Sequence, residues 1–352
     1  MKQIIKFYVI IIFLFIYNQA FSQVRFLKKI DHYPKKNGDY FFQPLIDFQI
    51  KDNNLYAVEN LSHKILKFSI DKELEHIKFI GMPGRGPGEL KLPTGISIWN
   101  EEIVVKDSNA FSFFNLDGKF VKEFKTFSSK HEFVFVNGRI FWLNSNPEDN
   151  HLIEVYSQEG EKIFDFGNKF SSLNFSLFKG LGPFEVEKIA YSGNLLSDNV
   201  YIYYINTTFG KLIKFKLDGS KVLETNIGNL FEHLGKKAIE MNNKIFIEEG
   251  LDIRGKGSYR YYLIFIDAYL FENEIYLADP GWTPGEETAN EQVNFIVLDK
   301  NTLEVNRKYI IKKEKTDHII CFAITKKDNA LTFFTSLRRD SRNFVAEYGE
   351  EK

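Results

Sequence analysis

The chain has 352 residues, of which 44% are hydrophobic and 26% charged, with a formal net charge of −1 at pH 7. That balance excludes a disordered chain and offers no basic footprint for nucleic acid. An aromatic share of 16%, with 36 Phe and 17 Tyr, favours pleated, half-buried sheet surfaces over helices.

Lys2 and Lys6 flank the start of an apolar run from Phe7 to Tyr17, and Ala20 and Ser22 precede Gln23 at the spacing of a signal-peptidase site. Residues 1–22 therefore read as a secretory signal peptide. The apolar run is short of the roughly twenty residues that a stable membrane span needs. The expectation is an exported protein, periplasmic or extracellular, with one domain over residues 23–352. Cleavage after Ser22 leaves 44 Lys and Arg against 47 Asp and Glu. Cys321, the single cysteine, lies in the apolar run His318 to Ile324. It forms no internal disulfide and is expected to be a buried, inert thiol.

A strand, Val24 to Ile30, comes first and belongs to no repeat. Short alternating segments then recur. The first copy runs Ile46–Ile50, Leu55–Glu59, Ile65–Asp71 and His76–Ile80. The loop Gly81 to Pro93 follows, with four glycines and three prolines, through which neither a helix nor a central strand can run. A second copy occupies Gly95–Trp99, Ile103–Asp107, Phe111–Gly118 and Phe120–Phe124. The third begins Phe133–Val136 and turns at Asn137-Gly138, a strong short hairpin signal. The fourth is read from Ile189–Tyr191, the fifth from Ile264–Tyr269 and the sixth from Ile319–Ile324, ending at Phe344–Tyr348 one strand short.

Six copies of about four strands, a spare strand at the front and a deficit at the back predict an all-β fold. The reading is a six-bladed β-propeller, its ring closed by the N-terminal strand joining the last blade. Two packed sandwiches are the alternative. Two stretches interrupt the repeat, 169–186 and 229–260, the second with a helix expected over Leu230 to Glu240. Insertions in a ring of repeats decorate one face, often the binding face.

The run Gly-x-Pro-Gly-Arg-Gly-Pro-Gly-Glu-Leu, then Pro93-x-Gly95-Ile96 and Ile103-Val104-Val105-x-Asp107, resembles secreted six-bladed propellers of bacteria, relatives of the NHL-repeat propellers. The match covers Ile80 to Gly118 closely and the rest by pattern. It implies the fold and export, and no agreed activity.

Glu59, Asp107 and Asp279 stand at the end of the second strand in three copies. They could converge on the axis and hold a hard cation such as calcium, or cap turns by accepting backbone N–H bonds. Lactonase-type propellers hold a catalytic calcium near the axis; on that pattern Asn144 and Asn206 would add ligands. The seven histidines are scattered, without a His-Glu-x-x-His run or paired metal spacing. Arg85 and Glu89, four apart in the Gly-Pro loop, either bind an anionic ligand or brace the loop. Arg254, Lys256 and Arg260 end an insertion and could take an acidic ligand, unless Tyr261 and Tyr262 already begin an inner strand. Trp282 sits in a turn-rich loop where an aromatic can stack on a sugar or anchor a partner, or pack against a neighbouring blade.

The leading expectation is a non-enzymatic propeller binding a peptide, glycan or partner protein on its loop face, with no cofactor. The rival is a calcium-dependent, lactonase-like hydrolase at the channel mouth.

Overall fold

The computed structural model describes residues 24–35, 40, 42–126, 132–144, 146–170, 173, 175–252, 262–280, 290–339 and 342–350. The fold is all-β and propeller-like. Four antiparallel sheets of four strands follow one another, starting at Leu45–Lys51, Pro93–Trp99, Phe133–Val136 and Gly193–Ser197. Eight more strands form one sheet, and two short parallel pairs, Met82–Pro83 with Glu89–Leu90 and Phe178–Lys179 with Leu251–Asp252, stand apart. The first strands pack in cyclic order around an axis. Leu45–Lys51 lies against Pro93–Trp99, then come Phe133–Val136, Gly193–Ser197, Asp267–Phe271 and His318–Lys327, which returns to Leu45–Lys51.

The two halves of the eight-stranded sheet are joined by Val24–Tyr33. This strand pairs antiparallel with Arg342–Glu350, the closure expected from the sequence, and also runs parallel to Val305–Lys312. The second pairing differs from the expectation of separate blades. Its reason is that Val24 to Leu27 meet the backbone of Lys308 to Ile311 along an edge that would otherwise be open.

Turn chemistry sets the register. Asp52-Asn53, Asn137-Gly138 and Asp328-Asn329 all have positive φ and link first to second strands, as two-residue hairpins require. At the turn between third and fourth strands, Gly118, Gly160 and Gly219 have positive φ, and a Cβ there would come 2.7 Å from Ile80, Phe124 and Phe166 respectively. Each glycine thus seats an outer-strand side chain of the preceding sheet. Aromatic rings fill the space between sheets: Phe111 meets Phe133 at 5.0 Å and Phe166 meets Phe215 at 5.1 Å, both edge-on.

The two insertions are one structure. Phe178–Lys179 of the first pairs in parallel with Leu251–Asp252 of the second, and Phe178 packs on Phe246 at 5.6 Å. The first insertion leads into a helix, Pro183–Ala190, with Pro at its start and Lys188 in its last turn. This helix takes up Ile189 and Ala190, so the inner strand starts at Gly193 rather than at Ile189. The expected second helix runs longer than Leu230 to Glu240. It spans Glu232–Asn243 and continues as a π-turn over Lys244–Glu249. Its Asn242, fully buried, donates to the carbonyls of Thr208 and Tyr262 at 2.7 Å each and accepts from Tyr262 N–H at 3.0 Å. Tyr262 is therefore held outside the sheet, whose inner strand begins at Asp267.

Candidate binding site at the axial mouth

Strand register places two sets of polar side chains at one face. Leu45 pairs with Glu59, Pro93 with Asp107, Gly193 with Asn206, and Asp267 with Ala278, just before Asp279. The second strands thus end where the first strands begin, and the connections carrying both insertions and the Gly-Pro loop enter there.

The outer set is saturated with hydrogen bonds. Glu59, fully buried, accepts from Tyr40 Oη–H at 2.9 Å and from Gln43 N–H at 2.6 Å. Asp107 accepts from the N–H groups of Lys91, at 3.0 and 2.9 Å, and Leu92, at 2.5 Å. Asn206 donates to the carbonyls of Ala190 and Ser192 and accepts from Phe209 N–H. Asn144 accepts from Asn146 N–H, and Asp279 accepts from Asn294 at 2.5 Å. A chain entering a sheet brings N–H groups that have no ladder partner, and these side chains supply the acceptor. The structure does not bring Glu59, Asp107 and Asp279 together. Among the described residues, the one His, Cys, Asp or Glu group with ligand atoms all within 4.8 Å of one another is Asp149, His151 and Asp165. There Lys162 already pairs with Asp165 at 2.8 Å, and Asn144 bonds Asp149.

Glu89 braces the Gly-Pro loop from inside: its Oε2 accepts from the N–H groups of Arg85 and Gly86 at 2.7 Å each. A Cβ on Gly84 would fall 1.9 Å from that oxygen. Arg85 is held by its backbone, and its side chain is exposed. Arg254, Lys256, Arg260 and Trp282 lie outside the described residues.

The inner set was not anticipated from the sequence. Asp47, Glu132, Asn194 and Asp267, from four different segments around the axis, line a cavity of about 130 Å³ enclosed by the first strands. Asp47 accepts from Ile96 N–H at 2.8 Å, Ser97 from Phe135 N–H at 2.9 Å and Asp267 from Phe322 N–H at 3.0 Å. Each polar group thereby serves the exposed edge of the next first strand. Asp267 also accepts from Asn194 at 2.9 Å. Burial pushes the Asp47 carboxyl up to about 8 and Asp267 up to about 7, against the opposing pull of those N–H bonds. Glu132 is raised well above the usual carboxylate range by burial and by the nearby Asp47 and Asp267, and no hydrogen bond to its carboxyl offsets this among the described residues. No Lys or Arg is among the described residues lining the cavity. A signal for the pair was present in the chain: an aspartate breaks the apolar run in Ile46-Asp47-Phe48 and again in Ile266-Asp267-Ala268.

No sequence-family profile matches the chain, and no curated protein matches it in sequence. Solved structures do resemble it. A candidate exported protein of Bacteroides fragilis superposes with a TM-score of 0.56 at 13% identity, covering 93% of this chain and 95% of that one. A member of the DUF4221 family from Bacteroides vulgatus gives 0.54 at 11% identity, covering 92% and 97%. Raptor of Chaetomium thermophilum gives 0.52 at 10% identity over 88% of this chain and 28% of that one. At these identities the likeness concerns the fold alone. Among the described residues, no helix is long and apolar enough to cross a membrane.

Proposed function

We propose that the chain is an exported, non-enzymatic, six-bladed propeller that captures a cationic side chain of a peptide or partner protein at its axial mouth. Six blades are supported by the cyclic packing of the six first strands, with the eight-stranded sheet read as two blades bridged by Val24–Tyr33. The Gly81 to Pro93 loop supports kinship with the NHL-type propellers, and the apolar leader supports export.

The binding reading rests on one observation, the gathering of Asp47, Glu132 and Asp267 around a single cavity with no described basic residue in its wall. Their oxygens stand wider apart than the shell of one metal ion, since they form no group within 4.8 Å. They are nevertheless close enough to raise one another's pKa. A guanidinium or ammonium, with several N–H donors spread over a few ångströms, suits that spacing and relieves the repulsion. Arg85 on the rigid loop, together with Arg254, Lys256, Arg260 and Trp282, would then touch the rest of the ligand.

The test is calorimetric titration of the mature protein with short peptides carrying Arg or Lys, and with the same peptides citrullinated or acetylated. Binding of the charged forms alone, lost in the Glu132→Gln/Asp267→Asn double variant, is expected. Equal binding of the neutral forms removes the reading. The Glu132 carboxyl, which no described group hydrogen-bonds, also favours a second reading, a calcium-dependent hydrolase at this mouth with Glu132 as base. A stoichiometric calcium that raises the melting temperature, and is lost in Asp47→Asn, selects it.

A further inference from the structure

The charges around the axial cavity do not balance. Asp47, Glu132 and Asp267 reach it from three segments, and no Lys, Arg or His is among the described residues of its lining. Tyr269 also lines it, and Cys321 precedes the lining residue Phe322 in the chain. Burial and the charges of Asp47 and Asp267 raise the pKa of both Tyr269 and Cys321, so neither is ionised across the neutral range. The strands packed around the cavity thus bring three carboxyl groups and no described group to offset them. Three bare carboxylates around about 130 Å³ repel one another and lose much of their hydration. Without a cation the site must hold protons in its place.

The donors facing each acid set where those protons sit. Asp267 accepts from Asn194 at 2.9 Å, from Ala268 N–H at 2.8 Å and from Phe322 N–H at 3.0 Å, and Asp47 accepts from Ile96 N–H at 2.8 Å. Such bonds favour the ionised form. No described group hydrogen-bonds the Glu132 carboxyl, and both aspartates repel its charge. Glu132 is therefore the first of the three to take a proton and the last to give it up. We infer that the axial mouth binds by exchange, an entering cation displacing protons from the three carboxyl groups into solvent; the inference rests on the cation-binding reading above. The sign follows from the charges. A bound cation favours carboxylate over carboxyl, so the complex holds fewer protons than the free protein. Capture is strongest above the native values, about 8 for Asp47 and about 7 for Asp267. Acid reverses it.

The probe is an arginine tripeptide blocked at both ends, acetyl-Gly-Arg-Gly-amide, whose own charge stays fixed between pH 5 and pH 9. Calorimetric titration of the mature protein at pH 6, in two buffers of different protonation enthalpy, counts the protons released per peptide bound. About one proton is expected to leave, with affinity rising about tenfold per pH unit from pH 5 to pH 7 and levelling off above about pH 8. Asp47→Asn, which keeps an acceptor for Ile96 N–H, should lower the affinity about tenfold at pH 8 and change it little at pH 5, where the native carboxyl is already protonated. Lys130 and His131 adjoin Glu132 in the chain and lie outside the described residues. The Lys130→Gln/His131→Gln variant should release protons as the wild type does, and loss of the release there overturns the inference. Binding without proton release, at equal affinity at pH 5 and pH 8, also overturns it and leaves the cation reading standing. No binding at pH 8 removes both. Melting curves show which variants fold; should Asp47→Asn fail to fold, the proton count of the wild type decides.

Discussion

Two sets of acids occupy the same face of this ring and behave in opposite ways. Asp107 and Glu59 meet converging N–H donors and act as clasps on the chain entering each sheet. Asp47, Glu132 and Asp267 look across a cavity at one another, and burial, with repulsion added at Asp47 and Glu132, raises their carboxyl pKa values. The count of donors does not separate the sets, since Asp267 accepts three hydrogen bonds and Glu59 two. What differs is that the inner acids also face one another. A carboxylate that faces only donors clasps the chain; one that also faces its own kind is raised in pKa, and on the proposed function it is these that meet the ligand.

The comparison breaks most sharply at Asp107. Replacing it with alanine leaves the N–H groups of Lys91 and Leu92 without their acceptor, so Asp107→Ala should cost on the order of 3 kcal/mol in urea unfolding. A cost below about 0.5 kcal/mol, within the scatter of ordinary surface changes, would show that these bonds are not what holds the loop.

The pH dependence of the unmodified protein comes next. The native pKa values of the axial acids lie above the unfolded ones near 4, so their contribution to stability is fully present below pH 4 and is lost as pH rises through about 7 to 8. The melting temperature of the ligand-free protein should fall between pH 5 and pH 9. A flat or rising profile over that interval would mean that the axial carboxylates are already neutralised.

Asp47→Asn keeps an acceptor for Ile96 N–H while removing the charge. It should raise stability by about 1 kcal/mol at pH 8, flatten the pH profile and change little at pH 5. Loss of stability at both pH values would instead place Asp47 among the clasps. The smallest effect is expected at Glu89, whose bonds to Arg85 and Gly86 lie at the surface. Glu89→Gln should cost less than about 1 kcal/mol and be read best as faster amide exchange confined to residues 84–90.

Much of the architecture is written in local chemistry. Alternation of apolar residues, the positive-φ pairs Asp52-Asn53 and Asn137-Gly138, and the turn glycines Gly118 and Gly219 each encode a hairpin within a few residues, so strands and most registers follow from the chain alone. The spare strand at Val24 and the deficit after Phe344 also announce the closure, because an unmet edge is visible as a count. The recurring acid or amide at Glu59, Asp107, Asn144, Asn206 and Asp279 was legible too, but its role was not, since donors such as Lys91 N–H or Gln43 N–H come from another connection. Only the tertiary structure decided that the two insertions pair through Phe178 and Leu251, and that Val24–Tyr33 bridges two halves of one sheet. It alone brought Asp47, Glu132 and Asp267, up to 220 positions apart, around one cavity. Sequence specifies the neighbours a residue has along the chain; charge repulsion, burial and orphaned donors arise between segments that meet only when the ring closes.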